Sequence, residues 1–510
     1  MNPRRQNLLA AVVGIVAAIA TLGVAELVAL FVAAGSSPLA AVGGFVIDIV
    51  PSWVKDTAIA LFGTADKVAL LVGLGLLVLV LAVGIGILQR WRAPFGAIAL
   101  GIVGLVALIT AVTRAEASPV WALPTVIGTA VGILVLVVGI RRLQGWASAQ
   151  PLGAAAGLSR RRFVSMLAAT SASAVVVGVT ARAVNSATSA VNAVREALVI
   201  PPPSVRAEPV APGAALDIDG ISPLFTPNAE YYRIDTAIQV PVVNVDDWRL
   251  RITGMVEQEV EITLDELLAL PLIETAVTLA CVSNEVGGTL IGNALWTGYP
   301  IRSLLERAKP LAEADMVLSR SVDGFTASTP IDALTDDRDA IFAVSMNGEP
   351  LPLEHGFPVR MVVPGLYGYV SATKWVTELR VTRFADETAY WTTRGWDALG
   401  PVKTSSRIDV PRGPVEAGTV TVAGVAWAQH TGIEAVEVRV DDGPWQQATL
   451  ADAVSVDTWR QWFYAWDAAP GGHVLQVRAL DSSGVTQSGR EVFVAPNGAE
   501  GYHTVDISVS

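Results

Sequence analysis

The sequence predicts a multi-domain chain: an α-helical transmembrane bundle, then an α/β domain, then an all-β sandwich. Three observations carry this. Long apolar runs crowd the first 190 residues and then stop. Charge divides in the same place: residues 1–200 carry net +8 and residues 201–510 net −20. Beyond about residue 414, short alternating strands are punctuated by turn residues such as Asp442-Gly443 and Gly471-Gly472, the pattern of a sandwich. Hydrophobic residues at 52% and charged residues at 16% exclude a disordered or wholly soluble chain. The acidic second part argues against nucleic acid as a partner, because each phosphate contact needs a cation.

Spans are expected at about 7–34, 67–89, 94–113, 120–140 and 163–183, each reaching the ~20 residues that cross a bilayer. Trp91, Trp121 and Trp146 fall near span ends, where amphipathic rings favour the interface. The segment 35–66 is broken by Asp48, Pro51, Lys55 and Asp56 and reads as an interfacial or re-entrant loop. Arg4, Arg5, Arg90, Arg92, Arg141, Arg142 and Arg160–Arg162 alternate as a cytoplasmic N-terminus requires. Five spans then put everything after about 185 outside the cytoplasmic membrane. Ser159-Arg160-Arg161-Arg162-Phe163-Val164 resembles the core of a twin-arginine export signal, and ordinary positive-inside anchoring also wants arginines there.

The spans contain no histidine, so membrane haem is not expected. Glu26 is the main charged residue within them. It reads as a packing residue, and the membrane part as an anchor rather than a pump or transporter.

Residues 186–222, with Pro201-Pro202-Pro203, read as a short helix and a stiff spacer. The α/β domain follows over 223–412 and the β domain over 413–510. Within the former, strands are expected at 248–253, 358–363 and 375–381 and helices at 263–269 and 301–308, with a hairpin turn at Asn347-Gly348.

The one cysteine of the chain, Cys281, ends an apolar run and opens a polar loop, Val282-Ser283-Asn284-Glu285-Val286-Gly287-Gly288. A single Cys excludes an intramolecular disulfide and CxxC zinc or haem sites. On local features it fits a buried small hydrophobe as well as a displayed reactive group.

Further segments bear on this choice: Met346-Asn347-Gly348-Glu349-Pro350-Leu351-Pro352, His355-Gly356-Phe357-Pro358-Val359-Arg360 and Lys374-Trp375. With the Cys281 segment, they resemble the sulfite oxidase family of molybdenum enzymes, over about 223–510. The resemblance implies an α/β fold binding molybdopterin and an immunoglobulin-like C-terminal dimerisation domain, hence a homodimer. It implies Cys281 as the molybdenum ligand and a catalytic residue, with Arg233 as a second residue near pterin or substrate. Asn284, His355, Arg360, Ser371 and Lys374 are implied as cofactor contacts. A soft thiolate suits a metal already held by a dithiolene, and an Arg fork suits phosphate. Lys403 and Arg407 either add charge at the site mouth or tie the two soluble domains together.

The expected function is two-electron oxygen-atom transfer on a small molecule, by a membrane-anchored enzyme passing electrons to an external carrier. Membrane lipid is the other expected partner. The competing reading is an inactive protein that keeps the fold and binds a ligand or partner. The His-free membrane part stands where fused-haem members carry a haem pair, and residues 368–373 run one residue longer than in animal sulfite oxidases. Both departures leave the substrate open.

Overall fold

A computed structural model describes residues 2–32, 36–50, 66–114, 117–148, 188–237 and 240–510, with scattered positions between 161 and 179. It divides into two compact units, Met1–Ala190 with Thr236–Val240, and Val191–Asp235 with Pro241–Ser510.

The first unit is helical: α1 (Pro3–Ala29), α2 (Pro38–Ile49), α3 (Asp66–Trp91), α4 (Phe95–Val112) and α5 (Ala122–Ser148). Among the described residues, four apolar segments are long enough to cross a membrane: Pro3–Ala29, Ala69–Trp91, Phe95–Val112 and Pro119–Ala147. α1 packs against α3 and α5. Its approach to α3 depends on missing side chains. A Cβ on Gly14 would lie 2.0 Å from the Ala82 carbonyl oxygen, and one on Gly86 2.1 Å from that of Ala10. Small residues at such crossings let backbones meet where no hydrophobic effect drives association. α3 and α4 expose Val72, Leu76, Val80, Ile102 and Leu105.

One expectation changes here. The segment read as a loop over 35–66 contains α2, whose twelve residues span only ~18 Å and cannot cross a bilayer. Ser37 caps it and donates its hydroxyl to the buried Glu26 carboxylate. Residues 51–65, most of the fifth span at 163–183 and most of Ser159–Val164 lie outside the described residues.

The second unit begins near α6 (Thr188–Ala197). The stretch expected to be a free spacer is instead laid along this unit. The Ser204 amide donates to the Leu272 carbonyl, Val205 bridges Ile273, and the Leu216 amide donates to Gln461. A polyproline segment leaves its amides unpaired, and here the neighbouring strands take them.

Two sheets make the α/β part. The first runs β2-β1-β10-β5-β6, from β1 (Arg249–Gly254), β2 (Val260–Thr263), β5 (Met316–Ser321), β6 (Thr326–Pro330) and β10 (Val376–Thr382). β1 and β10 pair in parallel, Arg251 opposite Glu378. The second runs β3-β4-β7-β8, from β3 (Ile273–Ala280), β4 (Ile291–Pro300), β7 (Ile341–Met346) and β8 (Glu349–Pro350), with β9 (Arg360–Val362) on β7. The β7–β8 turn is Asn347-Gly348, both at positive φ, as a tight hairpin requires.

Short helices join these strands: α7 (Leu264–Leu268), α8 (Ile301–Ala308), α9 (Asp332–Thr335) and α10 (Gly368–Ser371). α7 carries a complete capping box, Thr263 with Glu266. α8 buries Ile301, Leu304, Leu305 and Ala308, the one-sided stripe of an amphipathic helix.

The β part is a sandwich of two four-stranded antiparallel sheets, β11-β12-β16-β15 and β14-β13-β17-β18. Its strands are β11 (Ser405–Val410), β12 (Gly418–Trp427), β13 (Ile433–Val440), β14 (Gln446–Gln447), β15 (Thr449–Leu450), β16 (Arg460–Ala468), β17 (Gly471–Asp481) and β18 (His503–Val509). Trp462, Trp466, Val422, Val436, Leu475 and Ile507 fill the space between them. Because β11 pairs with β12, the sandwich starts near 405, ahead of the expected 413.

Candidate active site

β3 is buried from Thr275 to Ala280 and delivers Cys281 to the start of a self-closing loop. The Cys281 amide donates to the Leu290 carbonyl at 2.9 Å, and the Cys281 carbonyl accepts from the Asn284 amide at 3.1 Å. The Asn284 side-chain oxygen accepts from the Leu290 amide at 2.8 Å. The thiol is buried, and burial pushes it up, while the backbone amide and hydroxyl of Ser283 pull it back. Such donors favour a sulfur that carries negative charge.

A cationic cluster lies on β9 and the turns around it. His355 ends a single 3-10 turn, and Gly356 follows at φ +112°. Arg360 opens β9 and Lys374 precedes β10. The Arg360 guanidinium is buried, donates to the His355 carbonyl at 3.2 Å and lies 5.1 Å from the Trp296 ring centroid. Its remaining protein partners are the carbonyls of Met361 and Ala372. Among the described residues no carboxylate pairs with it.

Lys374 donates to Asp235 at 2.7 Å and to the Glu354 carbonyl at 3.0 Å. Arg233 donates its Nε to the same Asp235 oxygen at 2.9 Å. Burial lowers Lys374 to about 8, against the opposing pull of Asp235. His355 is pushed down to about 3, first by burial and then by the charges of Arg360 and Lys374. It is therefore neutral near pH 7. Its Nε2 lies 3.2 Å from the Asn228 carbonyl, which can only accept, so that nitrogen carries the proton.

Tyr232 stacks on Tyr231 at 5.3 Å, and burial raises its phenol well above the usual range, with Tyr231 and Cys281 adding to the rise and Arg360 opposing it. Its neighbour Tyr231 meets the His355 ring edge-on at 5.5 Å. Tyr367, pushed to about 12 mainly by burial, also feels Cys281. Tyr231, Tyr232, Asp235 and Tyr367 were not expected at the site. An aromatic pair directly ahead of Arg233, in an otherwise polar stretch, was the available signal.

Two expected cofactor contacts have their side chains engaged elsewhere. The Ser371 hydroxyl is fully buried and donates to the Tyr367 carbonyl at 3.0 Å. The Asn284 oxygen closes its own loop. Lys403 and Arg407 join elements of the soluble unit. Lys403 donates to Asn497, Gly498 and Glu500, and Arg407 to Asp409, the Gly288 carbonyl and Ser222.

The residues present fit a molybdenum cofactor. A buried cation facing only neutral carbonyls is costly and suits an added anion such as a pterin phosphate. A lone thiol with hydrogen-bond donors beside it suits a soft metal ligand.

Residues 237–391 match the family model of the oxidoreductase molybdopterin binding domain. That range holds Cys281, His355, Arg360 and Lys374; Arg233 and Asp235 precede it. Human mitochondrial sulfite oxidase is 29% identical over 270 residues, covering 44% of this chain and 49% of that protein. The Drosophila melanogaster enzyme is 27% identical over 304 residues, covering 50% and 52%. Nitrate reductase [NADH] 2 of Nicotiana tabacum is 30% identical over 178 residues, covering 30% and 20%. The chain spans about half the length of the sulfite oxidases it matches. Among solved structures, the sulfane dehydrogenase SoxCD of Paracoccus pantotrophus superposes with a TM-score of 0.50 at 23% identity, covering 58% of this chain and 85% of that one. Residues 237–391 thus match an oxidoreductase molybdopterin binding domain, and the chain is similar to sulfite oxidases over about half its length.

Proposed function

We propose that this chain is a membrane-anchored molybdopterin-dependent oxidoreductase that moves an oxygen atom to or from a small molecule outside the cytoplasm. The observation that carries the reading is the buried Arg360, which pairs with no carboxylate among the described residues and shares one cluster with His355 and Lys374. When bound, the molybdenum cofactor supplies a two-electron centre for oxygen-atom transfer. The chain's residues then divide the remaining work. Cys281 would ligate the metal, and Arg360 would hold the anionic part of the pterin. Asp235 orients Lys374 and Arg233, keeping two cations on one wall. His355, neutral with its proton on Nε2, offers Nδ1 as an acceptor and does not act as an acid near pH 7. Tyr232 and Tyr367 keep their protons and serve as donors.

Four long apolar helices support membrane anchoring, and the arginine alternation supports an external soluble unit. Electrons would leave to a separate carrier. The sandwich is read as an immunoglobulin-like dimerisation module.

The test is metal and pterin analysis of the full chain, purified from cells that make the cofactor. Near-stoichiometric molybdenum is expected in the wild type. Cys281→Ser should lose activity and Arg360→Met should lose pterin. A folded wild-type chain without molybdenum would return the function to ligand or partner binding.

A further inference from the structure

The helical unit holds an open cleft of about 350 Å³ between the start of α1 and the ends of α3 and α5, lined by Gln6, Arg90, Leu143, Gln144 and Ala147. Arg90 sits in the last turn of α3. Asn7 fixes it: the Asn7 side-chain oxygen accepts from Arg90 Nε at 3.0 Å and from Trp91 Nε1 at 2.9 Å. Among the described residues the Asn7 bond is to Nε, which leaves the two-pronged end of the guanidinium for another partner.

Among the described residues no carboxylate pairs with Arg90, and the three helix ends carry none in sequence. Residues 1–10, 84–99 and 138–150 contain Arg4, Arg5, Arg90, Arg92, Arg141 and Arg142, and no Asp or Glu. All five acids before residue 190 lie in other stretches: Glu26, Asp48, Asp56, Asp66 and Glu116. The C-terminal dipole of α3 favours a cation at Arg90, but a dipole accounts neither for the Asn7 brace nor for the cleft. Gln6 and Gln144 bring amide donors and acceptors to the cleft, Leu143 and Ala147 bring an apolar wall, and Trp91 is exposed beside it.

We infer that this cleft binds the headgroup of an anionic phospholipid, with its phosphodiester on Arg90 and its polar head against Gln6 and Gln144. A phosphodiester matches the planar fork of Arg. Basic pockets between helices on the cytoplasmic side take such headgroups. The site clamps the ends of α1, α3 and α5 together. The inference rests on reading these helices as membrane-spanning.

Full-length protein is first washed on membranes with carbonate, then extracted in mild detergent. Retention of phosphatidylglycerol and phosphatidylcholine is compared by native mass spectrometry for wild type, Arg90→Gln, Gln144→Glu and Arg92→Gln. The wild type is expected to keep phosphatidylglycerol in preference. Arg90→Gln and Gln144→Glu should each weaken it about tenfold, and Arg92→Gln, a change of surface charge only, by about fivefold at most. Gln144→Glu leaves Arg90 and its Asn7 brace in place, so its effect is independent of any loss of folding in Arg90→Gln. Equal retention of both lipids, or equal weakening by all three variants, overturns the site while leaving membrane anchoring intact. Displacement of the lipid by millimolar inorganic phosphate makes it a free-phosphate site and overturns the lipid. A chain stripped off by carbonate removes both the site and the membrane reading.

Discussion

Lys374 reaches Asp235 at 2.7 Å across 139 residues of sequence, and both side chains are more than nine-tenths buried. Removing one member of a buried pair leaves the other uncompensated, at a cost of about 3–5 kcal/mol. Asp235→Asn should therefore destabilise the soluble unit by that order. It should also lower Lys374 further, because burial already lowers it and Asp235 is its main support. Urea denaturation checks the stability. Adding Lys374→Met to Asp235→Asn should recover part of the loss, and full additivity would show that the two do not interact.

His355 gives a pH dependence with a definite sign. Its folded value is about 3, against an ordinary 6.5. Between these values the unfolded chain binds a proton that the folded chain does not. Its contribution to stability is therefore intact above pH 6.5 and is lost as pH falls toward 3, by up to ~1.4 kcal/mol per pH unit. The melting temperature of the cofactor-free protein should fall from pH 7 to pH 4, and His355→Gln should flatten that slope. An unchanged slope would mean that the imidazole titrates normally.

Several elements were legible because their causes are local. α8 spans the expected 301–308, since one stripe of apolar side chains suffices to define it. Asn347-Gly348 marked its hairpin because few other residues accept positive φ. β12, β16 and β17 followed period-two alternation. What was hidden depends on distant partners. No local pattern announces that β1 will pair in parallel with β10, or that Asp235 will meet Lys374. The segments at 355–360 and 374–375 hold residues that the fold brings together, but they could not show how each polar side chain is used. Ser371 and Asn284 illustrate this: short polar side chains readily turn to neighbouring backbone, and both do. The stretch around Pro201-Pro202-Pro203 was read as a stiff spacer, yet its non-proline residues supply the amides that dock it.

Arg407 should prove structural. It is buried, and its three bonds to Asp409, Gly288 and Ser222 measure 2.6–2.7 Å. Arg407→Met removes the buried cation of the Asp409 carboxylate, leaving it the Ser222 amide at 2.9 Å and the exposed Arg412 at 3.8 Å, and frees the Cys281 loop at Gly288. A loss of about 3–5 kcal/mol is expected, with faster amide exchange at Asn284 and Gly288. Unchanged exchange there would separate the loop from the sandwich.

Changing Arg160 and Arg161 together to Lys keeps both charges, so positive-inside anchoring should tolerate it. Under the export reading, a reporter fused at the C-terminus should instead move to the cytoplasmic side, with the first four spans still inserted. Normal placement of the double-Lys chain would leave anchoring as the only role of these arginines.

Thr278 lies three residues before Cys281, yet most of its hydrogen bonds go to the sandwich. Its amide donates to the Asp457 carbonyl, its carbonyl accepts from Gln429, and its hydroxyl accepts from the Trp459 amide. The strand that presents the thiol is thus completed by residues almost two hundred positions later. A ribosome that has finished the α/β portion has not yet made the edge that holds Cys281 in place. Whatever depends on this strand being in place therefore has to wait until synthesis has passed about residue 460.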